Sequence, residues 1–211
     1  MKKKLDPVVK QRIQLYGGIL LMLVLCVGFV RLYRMISTSK YGQILDGTGE
    51  TIQSAETVHV EYLDTDAFEV PMGESAFQIR KYGSLLSCTA AALRRNGQDT
   101  DVLSLNRLLS ERGIYTDGAQ VDWKKMEKDE SFAVSRVRAP VSFTSREIAG
   151  YLRSGFLPIV KVHAGEEERW IVITGEDLLH GFTVLDPMSP EQTLYLKEYG
   201  RVYALRVLEN L

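Results

Sequence analysis

From Ile13 to Val30 the chain carries no charged side chain, and Ile19–Val30 is almost purely aliphatic. No other feature restricts the architecture as strongly. A helix rises about 1.5 Å per residue, so this run with Leu32 and Tyr33 just reaches the roughly 30 Å of a bilayer's hydrocarbon core. Two competing readings are a buried helix and a cleaved signal peptide. Arg31 follows the run directly and no small-x-small cleavage site appears there. The bulky Leu25 precedes Cys26, where a lipid-attachment site needs a small residue. The expectation is a retained signal anchor over residues 13–34, after a basic tail over residues 1–12. More lysine and arginine lies before the run than after it, so the positive-inside rule places the N-terminus in the cytoplasm. The rest of the chain is then expected outside a cell membrane crossed once.

Charge is distributed unevenly. Lys2, Lys3, Lys4, Lys10, Arg12, Arg31 and Arg34 stand against Asp6 alone, while the whole chain has 26 basic and 27 acidic residues. Everything after Arg34 is therefore acidic, which suits a nucleic-acid backbone poorly. Hydrophobic content of 45% and charged content of 25% are globular values, so disorder does not describe the bulk of the chain. Of two cysteines, Cys26 lies in the apolar run and Cys88 stands alone in the remainder. No internal disulfide framework is expected, and the domain must rest on its core. Three scattered histidines (His59, His163, His180) make no metal-ligand pattern, so no metal or cofactor is expected.

Residues 35–56 are polar and glycine-containing and read as a juxtamembrane stalk. Alternation at Val58, Val60 and Tyr62 predicts a short strand. Apolar periodicity predicts a helix from Ser84 to Arg95, stopped at Asn96-Gly97. A second follows Asp99 and Thr100 as capping candidates and closes at Arg112-Gly113. Thr144-Ser145-Arg146-Glu147 is a capping-box pattern that opens a third. Then the period changes: Leu157–Val162, Trp170–Thr174, Phe182–Leu185, Thr193–Leu196 and Val202–Val207 are short runs separated by turns. Helices followed by an antiparallel meander make an α+β arrangement over residues 57–211.

Several segments in order resemble one family, the double-glycine leader peptidase-like proteins, relatives of the bacteriocin-processing papain-like cysteine peptidases. They are Gln78–Ser84 (QIRKYGS), Leu105–Leu109 through Gly113–Gly118 to Val121-Asp122-Trp123, Leu152–Val160, and Arg169–Gly175, ending at Leu185-Asp186-Pro187. Together they span roughly residues 76–188. The resemblance implies a papain-like cysteine peptidase fold, with N-terminal helices packed on an antiparallel sheet, here preceded by one transmembrane helix.

In that family the residue after Tyr-Gly is a nucleophilic cysteine at a helix N-terminus, where the dipole and free N–H groups favour the thiolate. A glutamine six residues earlier stabilises the oxyanion, a histidine before the Trp-Ile-Val-Ile strand takes the proton, and an aspartate before proline orients it. By this resemblance Gln78 and Asp186 retain their positions, whereas Ser84 replaces the nucleophile and Arg169 the base. A serine hydroxyl is a weak nucleophile without a base, and a guanidinium stays protonated.

Two substitutes are in view. Cys88 lies one helical turn beyond Ser84, although a lone cysteine there also suits plain packing. His163 lies across the expected Glu166–Glu168 hairpin tip from Arg169, where an exposed histidine is equally at home. Arg169 pairs with Asp186, offers a fixed charge to an acidic ligand, or is solvated beside the glutamates. Trp123 and Trp170 read as core or cleft wall. The leading expectation is a membrane-anchored, extracytoplasmic, catalytically inactive peptidase-like domain that binds a peptide or protein, with no nucleic-acid partner. The alternatives are an active peptidase using Ser84 or Cys88 with His163, and a structural subunit of a membrane or envelope assembly.

Overall fold

The computed structural model describes residues 16–31, 33, 42–53, 58–189 and 194–210. Residues 16–31 form a helix, α1, whose side chains are exposed along its length. Among the described residues no helix is long and apolar enough to cross a membrane. This corrects the expectation of a transmembrane anchor over 13–34. With it go the fold class that included that helix, the membrane partner, the single-pass topology and the extracytoplasmic placement. The basic tail over 1–12 lies outside the described residues.

The described residues build a mixed fold of helices and one curled, seven-stranded antiparallel sheet. Five strands lie at the C-terminal side: β3 (Pro158–Ala164), β4 (Glu167–Asp177), β5 (Gly181–Leu185), β6 (Leu194–Tyr195) and β7 (Arg201–Glu209). Two short strands, β1 (Gln43–Ile44) and β2 (Arg136–Arg138), both pair with β7. The order is β1-β7-β3-β4-β5-β6, with β2 as a side branch. Period-2 alternation sorts the strand residues onto two faces. Ile159 and Val172 face one apolar cluster, which they share with the helices α3 (Ser84–Arg95) and α4 (Val102–Glu111). Val160, Val162, Ile171, Ile173, Val184 and Val207 face a second, closed by Ile148 and Ala149 of α6 (Ser145–Arg153). Each fully buried aliphatic side chain contributes about 1.5–3 kcal/mol, so the two clusters carry the fold without a disulfide.

The helix ends follow local chemistry. At α6, Thr144 accepts the Glu147 N–H while the Glu147 carboxylate accepts the Thr144 N–H, a complete capping box. α4 is capped by Asp101, whose carboxylate accepts the Ser104 N–H at 2.7 Å, rather than by Asp99 or Thr100. The segment expected as a strand at Val58–Tyr62 makes no ladder. It is held instead by the Ser87 hydroxyl, which accepts the Glu61 N–H and donates to the Glu61 carbonyl. Residues of the expected stalk join the domain. Leu45 is buried in the second cluster, and Ile52 exchanges backbone hydrogen bonds of 2.8 Å with Glu176. That pairing needs Gly175, because a Cβ there would stand 2.4 Å from the Ile52 carbonyl oxygen.

Candidate functional site

The site lies where β4 loses its neighbour. β5 pairs with β4 only as far back as Val172, so the outward-facing peptide groups of Trp170 find no strand partner. The start of α3 takes that place. Ser84 Oγ accepts the Trp170 N–H at 3.1 Å, and Cys88 Sγ lies 3.3 Å from the Trp170 carbonyl oxygen as its donor. Residues four apart share one helix face, and these two side chains together replace the missing strand. The short helix α2 (Ile79–Tyr82) leads into α3 through Gly83, where a Cβ would stand 2.5 Å from the Ile79 carbonyl oxygen. That contact brings Ser84 onto the strand edge and leaves it 6% exposed.

Arg169 sits next to Trp170 on β4 and points to the other face, with Ile171 and Ile173. Asp186, two residues beyond Val184, continues the same face from β5. Arg169 Nη1 donates to Asp186 Oδ2 at 3.2 Å, and Nη2 donates to the exposed Glu167 carboxylate at 3.2 Å. Asp186 is buried. Its Oδ2 also accepts the Tyr199 hydroxyl at 2.7 Å, and its Oδ1 accepts the Met188 N–H at 2.8 Å. Arg169 Nε is buried with no hydrogen-bond partner.

Electrostatics follow from this burial. Desolvation pushes the Cys88 thiol well above its ordinary range, and the nearby Asp186 charge pushes the same way. A thiol held so is a packing residue and a weak donor, far from a poised nucleophile. Burial and then the Asp186 carboxylate raise the Tyr199 phenol, which stays protonated as the donor to Asp186.

The remaining expected site residues fall as follows. Gln78 is solvent-exposed at the N-cap of α2, and its side-chain amide makes no hydrogen bond among the described residues. His163 pairs across the β3–β4 hairpin with Glu168, whereas Arg169 pairs with Val162. One step of register turns a side chain to the opposite face, so His163 and Arg169 diverge. The His163 imidazole packs on Tyr203 with ring centroids 4.4 Å apart, and its Nε2 is 3.6 Å from the Glu168 carboxylate. Among the described residues no cluster of histidine, cysteine or carboxylates has metal-holding geometry.

Sequence reasoning did not single out Tyr199 or the peptide groups of Trp170. Tyr199 carries no local signal, because its contact with Asp186 depends on the β6 region folding back over β5. The Trp170 role is invisible in principle, since any residue has the same N–H and carbonyl.

The chain as a whole matches no protein-family model, no curated protein and no solved structure.

Proposed function

We propose that this chain is a catalytically silent, papain-like peptidase relative that engages a peptide without cutting it. The observation that carries the reading is the Arg169–Asp186 pair. The resemblance assigns these positions to the proton-accepting base and its orienting carboxylate. Asp186 is placed to orient a neighbour on β4, and the neighbour is a cation that cannot accept a proton. Ser84, at the assigned nucleophile position, spends its oxygen on the Trp170 N–H. The alternative pairing of Cys88 with His163 has no support in their placement, because the thiol is buried against Trp170 and the imidazole lies on Tyr203.

Three measurements test this. Native chain treated with iodoacetamide at neutral pH is expected to react at the exposed Cys26 and not at Cys88 until denaturant is added, read by peptide mass spectrometry. Peptide hydrolysis by the native chain that disappears in Ser84→Ala or Cys88→Ala would overturn the proposal. The double variant Ser84→Cys with Arg169→His is expected to create a new thiol at position 84 that titrates below the ordinary cysteine range. An ordinary or raised thiol there would remove the site alignment.

A further inference from the structure

On the face of the sheet that carries α3, three side chains meet that the arrangement above does not use. Arg206 of β7 reaches across β3 toward Trp170 of β4, its guanidinium carbon 5.6 Å from that ring centroid. Trp123 opens the short helix α5 (Trp123–Met126) and brings its ring centroid to 6.0 Å from the same carbon. The guanidinium therefore lies over the rings of two indoles. Both rings pack against the first apolar cluster.

What distinguishes Arg206 is its counter-charge. Arg94 pairs with Glu61, Arg138 with Glu209 and Arg169 with Asp186. Arg206 is half-buried, yet among the described residues no carboxylate pairs with it. Nη1 donates to the Leu205 carbonyl beside it on the same strand, and Nε is buried with no partner. Burial draws its proton affinity down with nothing opposing. Indole faces offset part of the lost hydration. A planar anion would supply the missing counter-charge end-on, accepting from Nη2 and from the Nη1 hydrogen that Leu205 does not use, because Nε is enclosed and a carboxylate matches two parallel N–H donors. The neighbouring cation Lys161 is already held by Glu168.

We propose that Trp123, Trp170 and Arg206 form a binding site for a peptide's C-terminal carboxylate, the indoles flanking the residue that bears it. Trp170 is the residue whose backbone Ser84 and Cys88 hold, so this site borders the silent one. The choice of a peptide as carrier rests on the proposed function; the anion site itself does not.

The two tryptophans are the only ones in the chain, so fluorescence excited at the red edge, where tyrosine does not absorb, reports on this site alone. The full chain is titrated with acetyl-Gly-Gly bearing a free C-terminal carboxylate, with its C-terminal amide, with sodium acetate and with inorganic phosphate. The free acid is expected to change the emission saturably and to bind at least about tenfold more tightly than the amide, since the charge-assisted pair is lost in the amide. Acetate is expected to bind more weakly than the peptide acid. Arg206→Gln should weaken the acid by about tenfold or more, whereas Lys161→Gln should change it by less than about twofold. A thermal melt checks that each variant folds. If Arg206→Gln does not, Arg206→Lys keeps the charge without the fork and should still weaken binding several-fold.

Equal response to acid and amide, indifference to the Arg206 variants, or no response to any probe would overturn the site. Saturation by phosphate with none by the peptide acid would overturn the carboxylate assignment, and acetate binding as tightly as the peptide acid would overturn the peptide. Because the titration involves no catalysis, failure of the Ser84→Cys, Arg169→His variant would leave its outcome readable.

Discussion

Two carboxylates, Asp186 and Glu176, lie at opposite ends of the paired stretch of β4 and β5, each only 2% exposed. Their surroundings differ. Glu176 faces neutral donors: the Thr48 N–H and hydroxyl, the latter at 2.8 Å, and the Gly49 N–H at 3.0 Å. Among the described residues no cation pairs with it. Asp186 has two comparable neutral donors, the Tyr199 hydroxyl and the Met188 N–H, and Arg169 in addition. Burying a carboxylate in this fold therefore does not require a cation. Arg169 is an added partner at the site end, not a condition of burying the carboxylate.

The difference can be broken at either end. Asp186→Asn keeps the shape and an acceptor for Tyr199 while stripping Arg169 of its buried counter-charge. A loss of about 3 kcal/mol is expected in a urea melt, toward the low end for a broken buried pair because Glu167 still faces Arg169. Adding Arg169→Met to that variant should recover part of the loss, since the stranded charge goes with it. Additive losses would show that the pair is not coupled.

At the other end, Glu176→Gln removes the charge but leaves an oxygen for the Thr48 and Gly49 donors. About 1–2 kcal/mol is expected, less than at Asp186. A loss equal to or larger than that of Asp186→Asn would reverse the comparison.

The smallest effect belongs to a carboxylate in water. Asp101 caps α4, and the Ser104 N–H holds its carboxyl below the usual range. Asp101→Ala should cost about 1 kcal/mol at neutral pH. A lowered folded-state pKa contributes stability that is present above the unfolded value of about 3.9 and lost as pH falls through the folded one. The gap between variant and native chain should therefore close in acid, and a pH series of melts reads it. A gap that persists below that range would assign the cost to helix packing.

Legibility in the sequence tracked the range of the interaction. The helix at Ser84–Arg95, the capping box at Thr144 and Glu147, and the successive hairpins β3–β4–β5–β6 are read from periodicity, caps and turns. β7 departs from the expected meander and pairs with β3, setting Leu205 opposite Val160, about 45 residues away in the chain. The cap of α4 is displaced to Asp101 because Asp99, Thr100 and Asp101 carry almost the same local signal. Alternation at Val58–Tyr62 is present, but a strand needs a partner edge, and the Ser87 hydroxyl claims Glu61 first. The apolar run does not stand as an anchor, because among the described residues no helix is long and apolar enough to cross a membrane.

The candidate site divides in the same way. Residue types alone determined that Ser84 lacks a thiol and that Arg169 cannot accept a proton, because those are properties of the side chains wherever they stand. Only the tertiary structure decided which groups meet. It set Arg169 against Asp186, turned His163 to the other face by one step of register, and gave Ser84 and Cys88 the edge of β4 to hold. It also left Arg206 over two indoles with no carboxylate paired to it among the described residues. Charge and donor capacity belong to the residue, but partners are chosen by strand pairing and burial across long stretches of chain.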